Sequence, residues 1–286
     1  MAGLEVRGAK PADKNEVLSF CVGTFDWGDY IDEVFDRWLD GADSLFLVAE
    51  AEGKPVGILH ARLMKHQRAW LEGLRVRPSH RRSGVGSALT LKAIERLRDS
   101  GFRTVHLLIE SNNEASKGLA MHAGFREETQ WAFYHGRSPA RLASEDSRWL
   151  TSSAGPRVWA QLDASDVFNR ATRSFEYDWA LYPLESDDFA DLVKRRRVAV
   201  SGRGAHMTVA VVDDGSGSHR LARACFLPGD ASQVEDLAAF VVSEAAKAEA
   251  RRLHVSCPNH AGVVEGLKAS GFRAAFRASS VYVREV

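Results

Sequence analysis

Apolar positions along the chain alternate in some stretches and recur at helical spacing in others, and together they predict two runs of similar elements. Glu5–Ala9 alternates as a strand, and Pro11–Phe20 reads as a helix opening on Pro-Ala-Asp. Ile31, Val34, Phe35 and Trp38 fall at i, i+3, i+4 and i+7, the buried stripe of an amphipathic helix. Ser44–Ala51 (SLFLVAEA) predicts a strand, Glu52-Gly53-Lys54 a hairpin turn into Pro55–Leu63, and Trp70–Arg77 a further strand. From Gly84 to Arg98, Val85, Leu89, Ala93, Ile94 and Leu97 keep helical spacing, with Gly101 as a cap beyond. Thr104–Ile109 predicts a strand, Glu114–Ala123 a helix and Thr129–Tyr134 a strand.

Residues 137–156 are rich in Ser, Pro, Gly and charge and read as a linker, docked through Trp149 and Leu150. Beyond it, Thr208–Val212 and Leu221–Phe226 predict strands around the loop 213–218. Val234–Arg251 predicts a long helix, Leu253–Ser256 a strand, Gly262–Ser270 a helix and Val281–Arg284 a last strand. Gly-Phe-Arg recurs after a short helix at 124–126 and 271–273, and each short helix follows a strand that follows a long helix. The order of elements marks an internal repeat of 147 residues from Gly124 to Gly271. The predicted domains are 1–136, a linker 137–156, and 157–286.

Composition narrows the class. The 286 residues are 45% hydrophobic and 27% charged, ordinary for a globular protein and incompatible with disorder throughout. Lys and Arg number 38, as do Asp and Glu, so no basic excess points to nucleic acid. Cys21, Cys225 and Cys257 are widely spaced, which predicts reduced thiols rather than a disulfide framework or zinc site. His60, His66, His80, His106, His122 and His135 form no spaced ligand set, so no metal is expected. No leader or membrane span is read, and a cytoplasmic protein is expected.

The segment Leu71–Ser87 (LEGLRVRPSHRRSGVGS) carries the chemistry. A strand leads through Pro78 to Arg81-Arg82-Ser83-Gly84-Val85-Gly86 and then into a helix. Glycines let backbone N–H groups approach a ligand, the helix N-terminus adds partial positive charge, and the arginines add full charge. The arrangement suits a pyrophosphate. Leu89 stands where a dinucleotide-binding G-x-G-x-x-G needs its third glycine, and no Gly-Lys-Ser/Thr makes a P-loop.

This pattern resembles the GNAT superfamily of acetyl-CoA-dependent N-acetyltransferases. Arg81 to Gly86 fits Arg/Gln-x-x-Gly-x-Gly/Ala, Leu74 to Pro78 fits L-x-V-x-P, and Asn113 through Gly124-Phe125 fits the family's second element. The second half resembles a degenerate copy in which Leu227-Pro228-Gly229-Asp230 replaces the pyrophosphate loop. The resemblance implies an α+β fold: two tandem GNAT folds, each a mixed, mostly antiparallel twisted sheet flanked by helices, with one working site. It further implies that the strand at Leu74, Arg75 and Val76 holds the pantetheine arm. Arg81, Arg82, Ser83, Gly84, Val85, Gly86 and Ser87 would hold the pyrophosphate, and Asn113 and Ser116 would lie near the thioester. The Val76 N–H would face the thioester carbonyl.

One departure concerns the general acid. Ala120 stands where the family often carries Tyr, which leaves Tyr134 and Tyr30 as substitutes. Glu72 is the candidate base, being the only acid from Ala61 to Arg82; the competing reading pairs it with Arg62 or Arg75. Residues 26–43 hold seven acids against Arg37, while 61–82 hold seven Lys/Arg against Glu72. Asp29 and Tyr30 are the candidate acceptor contacts for a cationic amine. The stretches DYIDEVFDRWL and LEGLRVRP also look somewhat like histidine N-acetyltransferases of animals and related microbial proteins, which favours a small amine such as an amino acid. The expected reaction is acetyl transfer from acetyl-CoA to a small cationic or amino-acid-like amine by direct attack, in a monomer or homodimer. The alternatives are a protein lysine or N-terminal acetyltransferase and a non-catalytic acyl-CoA sensor.

Overall fold

The computed structural model describes residues 3–22, 24, 28–136, 144–203, 206–213, 221–275 and 278–286. The chain forms two compact units. The first comprises Met1–Ile109, Asn113–Glu127 and Tyr282–Val286, and the second Glu110–Asn112 and Glu128–Val281.

In the first unit, β1 (Leu4–Gly8), α1 (Lys14–Cys21) and α2 (Ile31–Asp40) precede an antiparallel run β2 (Ser44–Ala51), β3 (Lys54–Leu63) and β4 (Arg68–Val76). Then come α3 (Val85–Asp99), β5 (Thr104–Glu110) and α4 (Glu114–His122). The strand order is β1-β2-β3-β4-β5, antiparallel except for the β4–β5 pair. Alternation along β2 and β3 separates two cores. Leu47, Ala49, Leu59 and Ala61 pack against Val85, Leu89 and Ala93 of α3. Phe46, Val48 and Ile58 pack on the other face, with Phe35 and Trp38 of α2.

The second unit contains β6 (Arg126–Gly136, from Glu128 on), β7 (Arg148–Trp149), α5 (Gly155–Asp163), α6 (Asp166–Arg170), the hairpin β8 (Ser174–Tyr177) and β9 (Ala180–Pro183), and α7 (Ser186–Lys194). It continues with β10 (Val198–Arg203), β11 (His206–Asp213), β12 (Leu221–Phe226), α8 (Ala231–Lys247), β13 (Arg252–Pro258), α9 (Ala261–Ala269), β14 (Arg273–Ala274) and the start of β15 (Ser279–Glu285, up to Val281). Strands β10, β11 and β12 are antiparallel and β12–β13 is parallel, so β10-β11-β12-α8-β13-α9 repeats β2-β3-β4-α3-β5-α4. Val234, Leu237 and Val241 of α8 bury against Ala222, Ala224, Phe226 and Val255.

Two details depart from the expected division at residue 136. β6 follows the first half's last helix, yet it pairs with β13 in the second unit, from Pro258↔Trp131 to Leu253↔Gly136. β15 follows the second half's last helix, yet Tyr282 lies in the first unit's core with Ala120, Ala123 and Phe125, and the Val286 N–H donates to the Arg103 carbonyl. Apolar alternation shows that such a strand is buried but not which sheet it joins. The stretch read as a linker contributes β7, paired with β10 through Trp149↔Ala199, and the Trp149 indole donates to Glu244 at 2.7 Å. Residues 137–143 and 214–218 of the two expected loops lie outside the described residues.

Candidate active site

The loop singled out in the sequence begins where the β4–β5 ladder ends. That ladder runs from Arg68↔Thr104 to Leu71↔Leu107 and no further, so Glu72–Val76 continue without a β5 partner. On the other edge the register shifts between Ile58 and His60, and Gly73 takes φ +67°, a bulge that turns β4. Val76 lies opposite Gly57, and the next N–H, that of Arg77, donates to Val56. Val76 is therefore in a non-hydrogen-bonded pair, and its own N–H points away from β3 into the gap.

A short turn, Pro78–His80, follows, fastened by Ser83 Oγ donating to the His80 carbonyl at 2.6 Å. Arg82 and Gly84 both take positive φ (60° and 83°), which curls the backbone into the start of α3. Gly84 is the N-cap and supplies no side-chain acceptor, so the first N–H groups of α3 are left for a ligand. Arg81, Arg82, Ser83 and Gly84 are all exposed there. A Cβ on Gly86 would lie 3.3 Å from Leu119, so this glycine lets α4 pack against the first turn of α3. On α4, Asn113 Oδ1 accepts the Ser116 N–H at 3.0 Å, a helix cap joining the two expected contacts. Val85 is 2% exposed, so only its backbone serves the loop. This cradle fits a pyrophosphate: open amides, no competing carboxylate cap, and two flanking guanidinium groups.

Glu72 is a paired carboxylate. Its Oε1 accepts from Arg62 Nε at 3.1 Å and meets His60 Nδ1 at 2.9 Å, and its Oε2 accepts from Arg62 Nη2 at 2.7 Å. Burial works to raise its pKa, but His60 and Arg62 prevail and hold it below the ordinary carboxylate range. The side chain keeps 10% exposure at the point where β4 leaves β5. Of the two partners considered, Arg62 is the one it takes. His60 was read only as a structural histidine; the cue was its place on β3 directly across from Glu72.

Three of the expected residues have partners or surroundings that the sequence did not show. Asp29 is not an open acceptor contact: it takes the Arg75 guanidinium with both oxygens, at 2.7 and 3.1 Å, and the two side chains are 5% and 9% exposed. Arg75 thus offers a ligand its backbone alone. Tyr30 lies with its ring 5.3 Å from the same guanidinium, and burial pushes its hydroxyl up to about 12, so the phenol keeps its proton throughout the neutral range. Tyr134 is 3% exposed in the second unit's core, and burial pushes it to about 12 as well. The remaining acids of α2 lie on its exposed face, with Asp36 2.6 Å from Lys14. Asp26 and Trp27 lie outside the described residues. Ala120 is 2% exposed in the first unit's core.

The second unit repeats the topology without this site. Its parallel ladder starts at Leu221↔Arg252 and runs on to Cys225↔Ser256, so Cys225 holds the register place of Glu72 and no gap opens there. The loop that follows has Asp230 at the N-cap of α8, an acid where the first unit has Gly84. Among the described residues no His/Cys/Asp/Glu group is placed to hold a metal, and no helix is long and apolar enough to cross a membrane.

A splayed parallel pair that feeds a glycine turn at an uncapped helix makes a cradle suited to an anion. Residues 15–125 match the Acetyltransferase (GNAT) family, and this segment of the chain is a GNAT domain. A mycothiol acetyltransferase of Clavibacter sepedonicus is 33% identical over 35% of this chain and 32% of its own length. One from Segniliparus rotundus is 28% identical over 46% of this chain and 55% of its own. The chain thus spans from a third to about half the length of these curated relatives. Two solved structures share the fold across 99% of the chain: a GCN5-related N-acetyltransferase from Sphaerobacter thermophilus (14% identity, 95% of that chain, TM-score 0.67) and a tandem GNAT protein of the clavulanic acid pathway (13%, 98%, 0.55). The α+β fold expected from the sequence, two GNAT folds in tandem, is the fold found.

Proposed function

We propose that the first unit transfers acetyl from acetyl-CoA to the primary amine of a small, amino-acid-like acceptor, by direct attack and without a covalent enzyme intermediate. The observation that carries this is the cradle at Arg81–Gly86 set beside an unpaired strand end. Arg81, Arg82 and the first amides of α3 would bind the pyrophosphate, and Leu74 and Val76 the pantetheine arm. The Val76 N–H, turned away from β3, would donate to the carbonyl oxygen as negative charge develops on it. Glu72 would receive the proton that the attacking nitrogen sheds.

A lysine-type amine near pKa 10.4 costs about 4 kcal/mol to deprotonate near pH 7.4, whereas an α-amine near 8 costs about 1. A carboxylate held low by Arg62 and His60 is a weak base, which favours the second kind. Asp29, neutralised by Arg75, gives no support to a cationic acceptor. Two relatives are named for mycothiol, which adds a mycothiol-type amine to the acceptors worth testing. The second unit would serve as scaffold.

The test is to incubate the protein with acetyl-CoA and a panel of amino acids, a mycothiol-type amine, polyamines and a lysine peptide, following released thiol. Acceptor-dependent thiol release with an acetylated small amine is expected. Tight acetyl-CoA binding with no release for any acceptor would replace this reading by an acyl-CoA sensor, the alternative raised by Ala120.

A further inference from the structure

The second unit's counterpart of the cradle is a cavity, not a filled-in turn. The first unit joins the turn after β4, the first residues of α3 and the N-cap of α4. In the same places the second unit joins residues 228–230 after β12, the first turn of α8 and His260, the N-cap of α9. With α5, α6 and β11 these enclose about 210 Å³. Glycines set the rim down on its neighbours. A Cβ on Gly229 would strike the hydroxyl of Thr208, which is fully buried, and a Cβ on Gly262 would lie 3.1 Å from the Gly229 carbonyl oxygen. The loop is thus packed directly on β11 and α9, and the space beside it is part of that packing.

Its chemistry reverses that of the cradle. Among the described residues no Lys or Arg lines it. Asp230 at the N-cap of α8 offsets the positive helix end. Gln161 of α5 and Gln233 of α8 both line the cavity, and the Oε1 of each is buried without a hydrogen-bond partner. An amide oxygen only accepts, and a buried acceptor left unmatched is costly. The cost is recovered when a ligand brings the donor. Leu162, Met207 and Val209 add apolar wall. A pyrophosphate would meet a carboxylate and two acceptors here. A primary ammonium has three N–H donors, which match the two amide oxygens and Asp230; a carboxylate accepts up to about four bonds, so its other contacts leave room for one more. The volume is below the roughly 300–1,000 Å³ of drug-sized sites, which limits the stem to a few carbons.

We propose that this cavity is a second ligand site, which binds a short aliphatic primary amine as its ammonium ion through Gln161, Gln233 and Asp230. The amine is held there and not acetylated, because the second unit has no cradle for an acyl donor. Beside its role as scaffold, the second unit is then a binding module whose occupant has the opposite charge to the first unit's cofactor. The site does not depend on the acetyl-transfer reading.

The test is methyl NMR of the full chain with labelled methionine. The chain has four methionines, and Met207 is assigned by its loss in Met207→Leu. Butylamine at pH 7 is expected to shift the Met207 methyl signal and to saturate near millimolar concentration, while butyrate and 1-butanol leave it in place. Asp230→Asn should weaken butylamine binding about tenfold, as for a lost charge-assisted hydrogen bond. Gln233→Leu should weaken it by a similar factor, yet leave the melting temperature of the ligand-free protein unchanged or higher, because it removes an unmatched acceptor. A glutamine that only held the fold would lower that temperature. The Met207 signal reports this cavity, so its result is read apart from any acetyl transfer in the first unit. The proposal is overturned by no Met207 shift with butylamine, by an equal shift with butyrate or 1-butanol, by full affinity in both variants, or by a lowered melting temperature in Gln233→Leu.

Discussion

Asp29 holds the Arg75 guanidinium with both carboxylate oxygens, and neither side chain is more than 9% exposed. A loop before α2 is thereby fastened to the strand that feeds the cofactor cradle. Asp29→Asn takes the opposing charge away from Arg75 in a buried place, and should cost about 3–5 kcal/mol in chemical denaturation. The double variant Asp29→Asn/Arg75→Met should recover much of that loss. If Asp29→Asn instead keeps wild-type stability and only raises the acceptor KM, the carboxylate is a substrate contact after all.

The cradle makes a second prediction. Arg81→Ala and Arg82→Ala should each weaken acetyl-CoA binding by about 1.5–3 kcal/mol, roughly 10- to 150-fold, as expected for lost charge-assisted hydrogen bonds. Gly84→Ala should weaken it too, because Gly84 sits at φ 83° and an alanine there is strained. Calorimetric titration with acetyl-CoA checks all three. The arginine effects should shrink as salt is added. Equal binding by wild type and Arg82→Ala would move the pyrophosphate elsewhere.

A Cβ on Gly73 would come within 2.4 Å of the Trp38 ring, on a backbone at φ +67°. Gly73→Ala should therefore displace Trp38 from its seat on His60, lowering stability and kcat together. Loss of the Trp38 environment in tryptophan fluorescence, with acetyl-CoA affinity much less affected, is the expected pattern.

In the second unit, Glu176 is 5% exposed, and burial outweighs its contacts with Ser256, the Trp179 N–H and Arg223 to raise its carboxyl to about 7 from an ordinary 4.5. A raised acid binds its proton more tightly folded than unfolded. Its contribution is full below about pH 4.5 and is lost as pH rises through 7, a swing of about 3 kcal/mol. Glu176→Gln should gain stability over wild type at pH 8 and none at pH 4.5, read from urea melts at both. A constant difference across pH would show that Glu176 does not titrate in this window.

The loop was legible because its chemistry is written contiguously: two arginines, two glycines, a strand before and a helix after. The stripes of α2 and α3 were legible because burial imposes helical spacing. The Asp29–Arg75 pair was not, since 46 residues separate the partners and an acid looks the same whether it awaits a ligand or already has a cation. The His60–Glu72 contact was hidden for a similar reason: it depends on the bulge at Gly73, which sets the β3–β4 register. The hairpin β8–β9 went unread because its strands are four residues each. Tyr134 was misread because strand alternation tells which residues share a face but not which face meets solvent.

The exchange of last strands has a consequence for how such a protein can change. Expressed alone, residues 1–136 would leave the seat of Tyr282 among Ala120, Ala123 and Phe125 empty, and β6 would have lost the β13 partner it pairs with. The half without the cradle thus cannot be discarded like a spare copy, because deleting it removes a strand from the half that has one.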